Sequence, residues 1–272
     1  DIMTVKTTDP ADASYTKIVA NGKTEWIKLN PGMEKAAAFL ETHRYAAYLG
    51  ASLGFTKMEG TTVNAKDKIA YSALQNIQSS MVAGNAANVP GNGISVPKQL
   101  VAGAVMALNL KGGQKDTAGG TINSEWMPVD TKVLLAGEDI TADALGNTAN
   151  PNNIANPDNL KFSEKMRTLF IGEDSSQHVN NFLWAYNVDT KQLSRVMSIP
   201  SGGESTGLHA VDEINGWTYI MSNFQHAGDW GAIHSVVKDT LDPMIKANYK
   251  NKNGAAVGYL TAAAKQPSLN QA

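Results

Sequence analysis

The sequence predicts an all-β fold that forms part of a β-propeller, and three observations support this prediction. Short apolar strands alternate with turn signals at intervals of about 8 to 12 residues, which is typical of sandwiches, barrels and propellers. Only residues 31–49 show the periodicity of a helix. Polar clusters end three of the strands, at Glu59, at Glu173 and at residues 223–226. A propeller gathers such strand ends around its axis, which a sandwich does not do as naturally.

Length and composition limit the class of protein. The chain has 272 residues, 42% of them hydrophobic, and a net charge of −2 without a long basic run. We therefore expect a single domain over residues 1–272 with a flexible tail at 265–272, no nucleic-acid partner and no membrane span. The chain has no cysteine, which excludes disulfides and thiolate ligands from it. Because it begins at Asp1, we interpret it as a mature or cleaved product.

Local signals define the helix and several turns. Asn30-Pro31 is typical of an N-cap followed by the first helical residue, and Gly50 matches a helix stop. Asn21-Gly22 between two β-prone runs predicts a hairpin. Residues 235–253 have a mixed pattern, and residues 256–261 are consistent with a last strand.

The stretch from Arg167 to Asp189 is the most informative part of the chain. Its residues 169–171 form a short apolar run that predicts a buried inner strand. Residues 182–186 alternate as a second strand, and residues 193–199 predict a third. A cluster of polar side chains lies between the first two strands, which suits a propeller blade whose inner strand carries site residues.

Several side chains that can bind cations follow predicted strands. These candidate ligands are Glu59, Glu173, Asp174, His178, Asn180, Asn181 and Glu204. Calcium prefers carboxylate and amide oxygens, whereas the imidazoles of His178, His209 and His226 suit a transition metal. The alternative is that each carboxylate is a solvated loop residue.

Two further features suggest chemistry. Asn223, Gln225 and His226 directly follow an apolar strand and can hydrogen-bond or bind a metal. The guanidinium of Arg167 matches a phosphate as a bidentate fork, and Arg44 is a second arginine of this kind. For Arg44 we favour a surface or helix-packing role.

Six strings of the sequence together resemble the PhoX-type alkaline phosphatases, which are exported bacterial phosphomonoesterases. They lie roughly within residues 34–230 and read ETHRYAAYLGAS, FTKMEGTTVN, NPDNLKF, TLFIGEDSSQHVNNFLWAYNVD, GGESTGLHAVD and YIMSNFQHAGDW. The resemblance implies a β-propeller of about six blades with an axial cluster of iron and calcium. In that family the cluster binds and hydrolyses phosphate esters. The resemblance also implies a periplasmic or extracellular location.

Individual residues match positions of this family. Glu59, Glu173 and Glu204 match acidic positions that look like metal ligands, and residues 223–226 match a segment in which Ala227 stands where the family usually has proline. Asp174, His178, Asn180, Asn223, Gln225 and His226 are then candidates for substrate contacts or for supporting the ligands.

The family's members are longer, so the chain resembles their C-terminal portion. Their iron-binding cysteine belongs to the upstream part, and no cysteine occurs here. A complete propeller therefore needs a missing N-terminal segment or another chain.

The leading functional hypothesis is metal-dependent hydrolysis of a phosphate monoester. Glu59, Glu173 and Glu204 would hold calcium and iron, with Glu173 and Arg167 as the catalytic residues and Arg167 steadying the phosphoryl group. One alternative is a calcium-dependent propeller lactonase. Another is a non-catalytic structural or assembly module of an extracellular layer or filament.

Overall fold

A computed structural model describes residues 1–20, 23–51, 54–88, 93–116, 118–249 and 254–263. The chain divides into two compact units, Asp1–Lys57 with Ile77–Gln99, and Met58–Asn76 with Leu100–Ala272. The expected single domain over residues 1–272 stays a prediction. The Asn21-Gly22 turn and the tail at 265–272 lie outside the described residues.

The first unit contains a small antiparallel sheet. Its strands are β1 (Met3–Lys6), β2 (Thr16–Ala20) and β3 (Lys23–Leu29), in the order β1-β3-β2. Ile18 and Ile27 form its buried core, because alternate side chains of β2 and β3 point to the same face.

The segment predicted as one helix over residues 31–49 forms two short helices, α1 (Glu34–Leu40) and α2 (Thr42–Tyr48). Glu41 between them has a φ of −131°, outside the helical range. The hydroxyl of Thr42 donates to the carbonyl of Ala38 at 2.8 Å, the kind of side-chain bond that bends helices.

Arg44 has the packing role that we favoured for it. Its guanidinium donates to Glu25 at 2.7 Å and to Glu41 at 2.9 Å, and so ties α2 to β3. This ion pair lowers the pKa of Glu25, chiefly through the hydrogen bond.

The second unit contains three antiparallel sheets whose strands lie side by side in chain order. We call them the first, second and third blades. The strands of the first blade are β4 (Met58–Asn64), β5 (Ile69–Leu74), β6 (Ala104–Lys111) and β7 (Met127–Ala136). The strands of the second blade are β8 (Pro157–Ser163), β9 (Thr168–Glu173), β10 (Phe182–Asn187) and β11 (Leu193–Ser198). The strands of the third blade are β12 (Glu204–Ile214), β13 (Trp217–Ala227) and β14 (Gly254–Ala263). Such consecutive meanders are the blades of a β-propeller.

The predicted fold class is confirmed, since strands account for 45% of the structure and helices for 13%. The sequence did not predict helix α3 (Lys238–Tyr249), which lies within residues 235–253, where the sequence pattern is mixed. Pro243 inside this helix weakens its sequence signal. None of the helices in the described ranges is long and apolar enough to cross a membrane.

The second blade is covered on both faces. On one face, Ile171 and Trp184 share a buried cluster with Tyr71 of the first blade. On the other face, Phe170 packs with Ile220 of the third blade. The second blade is therefore the middle one of three stacked blades.

The first strands of the blades lie next to each other, with β4 against β8 and β8 against β12. Gly60 permits the first of these approaches. A Cβ there would meet the carbonyl oxygen of Asp158 and lie 2.8 Å from the amide nitrogen of Leu160. Gly172 has the same role beside Ser205, whose carbonyl oxygen would be 2.8 Å from an added Cβ.

We expect Gly60→Ala to lower the free energy of unfolding by about 3 kcal/mol, because the added methyl group would force β4 and β8 apart. Gly258→Ala in β14 is the matched control, since no atom lies within 4 Å of its added Cβ. Urea unfolding would measure both changes. Equal midpoints for the two variants would contradict the close approach.

Candidate functional site

An acidic residue lies at the start of each blade's first strand. Glu59 is the second residue of β4, Asp158 the second of β8, and Glu204 the first of β12. Because these strands are neighbours, they bring carboxylates from three blades to one end of the unit.

The carboxyl groups of Glu204 and Asp174 interact directly. The pKa of Glu204 is raised to about 7, most of all by burial and then by the hydrogen bond and negative charge of Asp174. Asp158 adds to this repulsion, while the charge of His226 opposes it. Acidic groups held this close share a proton or bind a cation.

His226 and Gln225 both contact Glu204 from β13. The amide of Gln225 donates to one carboxylate oxygen, and Nε2 of His226 lies 3.5 Å from the other. Nδ1 of His226 faces the carbonyl of Gly202 at 2.8 Å. Burial lowers the pKa of His226, but the Gly202 bond and the Glu204 charge outweigh it, so the net shift is upward.

A strand irregularity gives His226 this position. The pairing of β13 with β14 shifts between Phe224 and Ala227, and His226 has a φ of 43°, in the left-handed region. Bulges of this kind redirect side chains next to binding sites. A non-glycine residue in this conformation often marks a functional site.

Asp174 is oriented by the first blade. Nε2 of Gln75 donates to its carboxylate at 2.9 Å and to its carbonyl oxygen at 3.1 Å. Asp174 and His226 line a cavity of about 320 Å³. The other polar side chains that line it are Gln75, Asn76, Asn156, Ser175, Ser176, Asn181, Asp229 and His234.

Glu173 is fully buried, and both of its oxygens accept hydrogen bonds from this chain. The amide of Ala155 (2.9 Å) and the indole of Trp184 (2.7 Å) donate to one oxygen. The amide of Phe182 (2.9 Å) donates to the other, which also faces Nδ1 of His178 at 3.0 Å. With both oxygens occupied, the geometry favours a structural role for Glu173 over the predicted metal-binding and catalytic roles.

His178 and Asn180 hold the loop after β9. Nε2 of His178 lies 3.3 Å from the carbonyl of Asn150. The amide of Asn180 donates to the carbonyl of Ile199 at 2.7 Å and accepts from the hydroxyl of Ser201 at 2.9 Å. These contacts support the site without facing the carboxyl pair.

Arg167 lies at the opposite end of β9 from Glu173. It directly precedes the strand, and Glu173 is the strand's last residue, which separates them by about 20 Å at the rise of a β-strand. Its guanidinium pairs with Asp67 and Asp189. The structure therefore separates Arg167 from the carboxyl pair, and the predicted phosphoryl contact does not fit this position.

Asn223 lies two residues before Gln225 in β13, on the same face of the strand. It pairs with Thr206 across β12 and β13, and its side chain occupies the space beside Gly207. Of the predicted residues, the structure brings together Asp174, Glu204, Gln225 and His226, whereas Glu59 lies on β4, which is separated from β12 by β8.

Sequence reasoning missed Asp158, Gln75, Asp229 and His234. Asp158 had a usable signal, because the string NPDNLKF places an acidic residue beside a strand start, as at Glu59. Burial lowers the pKa of His234, and its Nδ1 accepts the amide of Gly231 at 3.0 Å. His234 carried no such signal, because it lies in the helical turn Ala232–His234 and not at the start of a strand.

The donor set fits a hard divalent cation in chemistry but is not a complete cage. Carboxylate and amide oxygens are what calcium prefers. Within the described ranges, however, no group of three or more His, Cys, Asp or Glu side chains is close enough to hold a metal ion.

We expect Glu173→Gln to lower the free energy of unfolding by about 3 kcal/mol or more. The new amide NH₂ would face buried donors and leave them without an acceptor. Trp184→Phe removes a single donor and should cost less. Urea unfolding of both variants would measure this order, and a native midpoint for Glu173→Gln would contradict the structural role.

The carboxyl pair predicts a pH-dependent stability. The pKa of Glu204 rises on folding from 4.5 to about 7, so its favourable contribution is complete below pH 4.5 and is lost as the pH rises through 7. Glu204→Gln should therefore stabilise the protein by about 1 kcal/mol at high pH and have little effect at low pH.

Urea midpoints at pH 4 and pH 8 would measure this difference. Glu213→Gln, an exposed site on the same strand, is the control. An equal effect of Glu204→Gln at both pH values would contradict the interaction with Asp174.

Comparison with known proteins identifies a similar fold. No family model matches the chain, and no curated protein matches it. Among solved structures, it is similar to Pseudomonas fluorescens PhoX in complex with vanadate, a transition state analogue, with a TM-score of 0.52 and 18% sequence identity. The match covers 92% of this chain and 44% of the PhoX chain, so this chain spans less than half of its length. The finding shows a PhoX-like fold.

Proposed function

We propose that the chain is part of a metal-dependent phosphomonoester hydrolase of the PhoX type. The observation that carries the proposal is the Asp174–Glu204 carboxyl pair, which lies where β9 ends and β12 begins, beside a polar cavity. The PhoX-like fold supports it, since the matched PhoX structure contains a transition state analogue.

The proposed cation ligands are Glu204 and Asp174, since the described residues offer no group of three or more acidic or histidine side chains close enough for one ion. The proposed cation is calcium, because both ligands are carboxylates. Iron comes from the resemblance alone and would need donors from elsewhere. A bound cation would polarise the phosphoryl oxygens of a substrate.

Each remaining residue has a role that its contacts define. Gln75 holds Asp174, and Gln225 holds Glu204, so both carboxylates keep a fixed direction. His226 lies 3.5 Å from Glu204 and lines the cavity, where it can protonate the leaving ester oxygen. The amide-rich wall of the cavity would contact the phosphate. Glu173 supports the site, and we assign no phosphoryl contact to Arg167.

The complete site involves more than this chain. Three blades do not close a ring, since propellers have about four to eight. We therefore propose that a further segment or another chain completes the site, and that the protein acts in the periplasm or outside the cell.

Calcium binding tests the ligand assignment independently of activity. Calorimetric titration of the full chain should show binding, and Glu204→Gln or Asp174→Asn should weaken it by about tenfold or more. Glu213→Gln should bind normally. Equal affinity in all variants would refute the assignment.

Hydrolysis of p-nitrophenyl phosphate, with and without calcium, tests the reaction. This chain, together with the segment or chain that completes the propeller, should release nitrophenol only with calcium, and Glu204→Gln in that assembly should be inactive. Calcium-dependent cleavage of a lactone instead would favour the lactonase. Calcium binding without turnover of either substrate would favour an assembly module.

A further inference from the structure

A buried asparagine joins the loops that surround Asp174. Asn156 directly precedes β8, and only 4% of its surface is exposed. Its Nδ2 donates to the carbonyl of Gln75 at 2.8 Å and to the carbonyl of Val101 at 2.7 Å. Its Oδ1 accepts from the hydroxyl of Ser175 at 2.8 Å. The side chain therefore connects the first blade with the loop that follows β9 of the second blade.

The backbone of Asn156 is held in a strained conformation. Its φ of 45° is in the left-handed region, and Pro157 follows it, which favours an extended backbone instead. Its amide donates to the carbonyl of Ala102 at 2.7 Å, and its carbonyl accepts from the amide of Asp174 at 3.2 Å. Strain of this kind persists only where surrounding contacts over-determine it, and it often occurs at functional sites.

These contacts hold Asp174 from two sides. Asn156 accepts the hydrogen bond of its backbone amide. Gln75, whose carbonyl is bound by Asn156, donates to its carboxylate at 2.9 Å and to its carbonyl oxygen at 3.1 Å. Ser175, the next residue of the chain, is bound to Asn156 as well. None of these bonds reaches Glu204, so Asn156 would act on the carboxyl pair through Asp174.

We infer that Asn156 is a positioning residue, which directs the carboxylate of Asp174 at Glu204. Asp174 comes after the last residue of β9, so the sheet alone does not fix its side chain. The bonds of Asn156 supply the missing constraint from the first blade and from the start of β8. Where it concerns calcium, the inference rests on the proposed function.

Asn64 is the matched control for this role. It is also buried, with 0% of its surface exposed, and it is the last residue of β4, at the opposite end of the first blade. Its Nδ2 donates to Asp67 at 2.8 Å, and its Oδ1 accepts from the guanidinium of Arg167 at 3.4 Å. Asn64 therefore joins the same two blades without contacting the carboxyl pair. A purely structural role for Asn156 predicts the same kinds of effect at both asparagines.

A double-mutant cycle between Asp174→Asn and Glu204→Gln tests the inference. Urea unfolding at pH 8 without calcium would measure the coupling of these two substitutions in the native chain, in Asn156→Gly and in Asn64→Ala. Glycine suits the left-handed backbone, so Asn156→Gly removes the side-chain bonds without added strain. We expect the coupling to fall by about half or more in Asn156→Gly and to remain in Asn64→Ala. Equal coupling in all three backgrounds would overturn the inference, and so would an equal loss in both variants.

A milder variant guards against loss of the fold. Ser175→Ala removes the bond to Oδ1 of Asn156 and keeps both Nδ2 bonds. It should reduce the coupling by less than Asn156→Gly does. Circular dichroism would establish that all variants fold.

Calcium titration separates the inference from the proposed function. Asn156→Gly should weaken calcium binding to the full chain by about tenfold, and Asn64→Ala should bind normally. Native affinity in Asn156→Gly would overturn the positioning role and leave the proposed function intact. A native chain that binds no calcium would contradict the proposed function alone, because the coupling measured without calcium still supports or overturns the role of Asn156.

Discussion

The buried carboxylate of Glu173 connects most of the structure around the site. Its bonds join the loop before β8, the start of β10 and the indole of Trp184. A buried charge is tolerated only when hydrogen bonds replace the water it loses. Because this carboxylate ends β9, the next residue, Asp174, is directed at Glu204. The position of the carboxyl pair therefore depends on a residue that does not belong to it.

Sequence reasoning predicted the sheets better than the site. The alternation in residues 182–186 matches the two-residue period of a strand, and the short apolar run at 169–171 predicts a buried strand. The structure confirms both segments as strands. The sequence favoured Glu173 as metal ligand and catalytic residue and Asp174 as a supporting or substrate-contacting residue, although both follow the same apolar run. Only the folded chain shows that one is saturated by donors from this chain while the other faces a carboxyl group.

The places where the structure differs from the sequence analysis have physical reasons as well. Helix α3 was missed because Pro243 interrupts its pattern, and the α1–α2 break depends on a local bond from Thr42. Arg167 suggested phosphate binding by residue type, but Asp67 and Asp189 already bind its guanidinium. The type of a residue shows which interactions its side chain can make. It does not show which of these interactions other residues of the chain already occupy.

The two carboxylates of the proposed cation site come from separate sheets, and this has a thermodynamic consequence. A cation bound by Asp174, which follows β9 of the second blade, and by Glu204 of the third blade would bind the packed blades and not the separated ones. By mass action, the concentration of the cation would then set how often the two blades separate, in addition to any role of the cation in catalysis. Binding affinity and resistance to local opening would be two measurements of the same equilibrium.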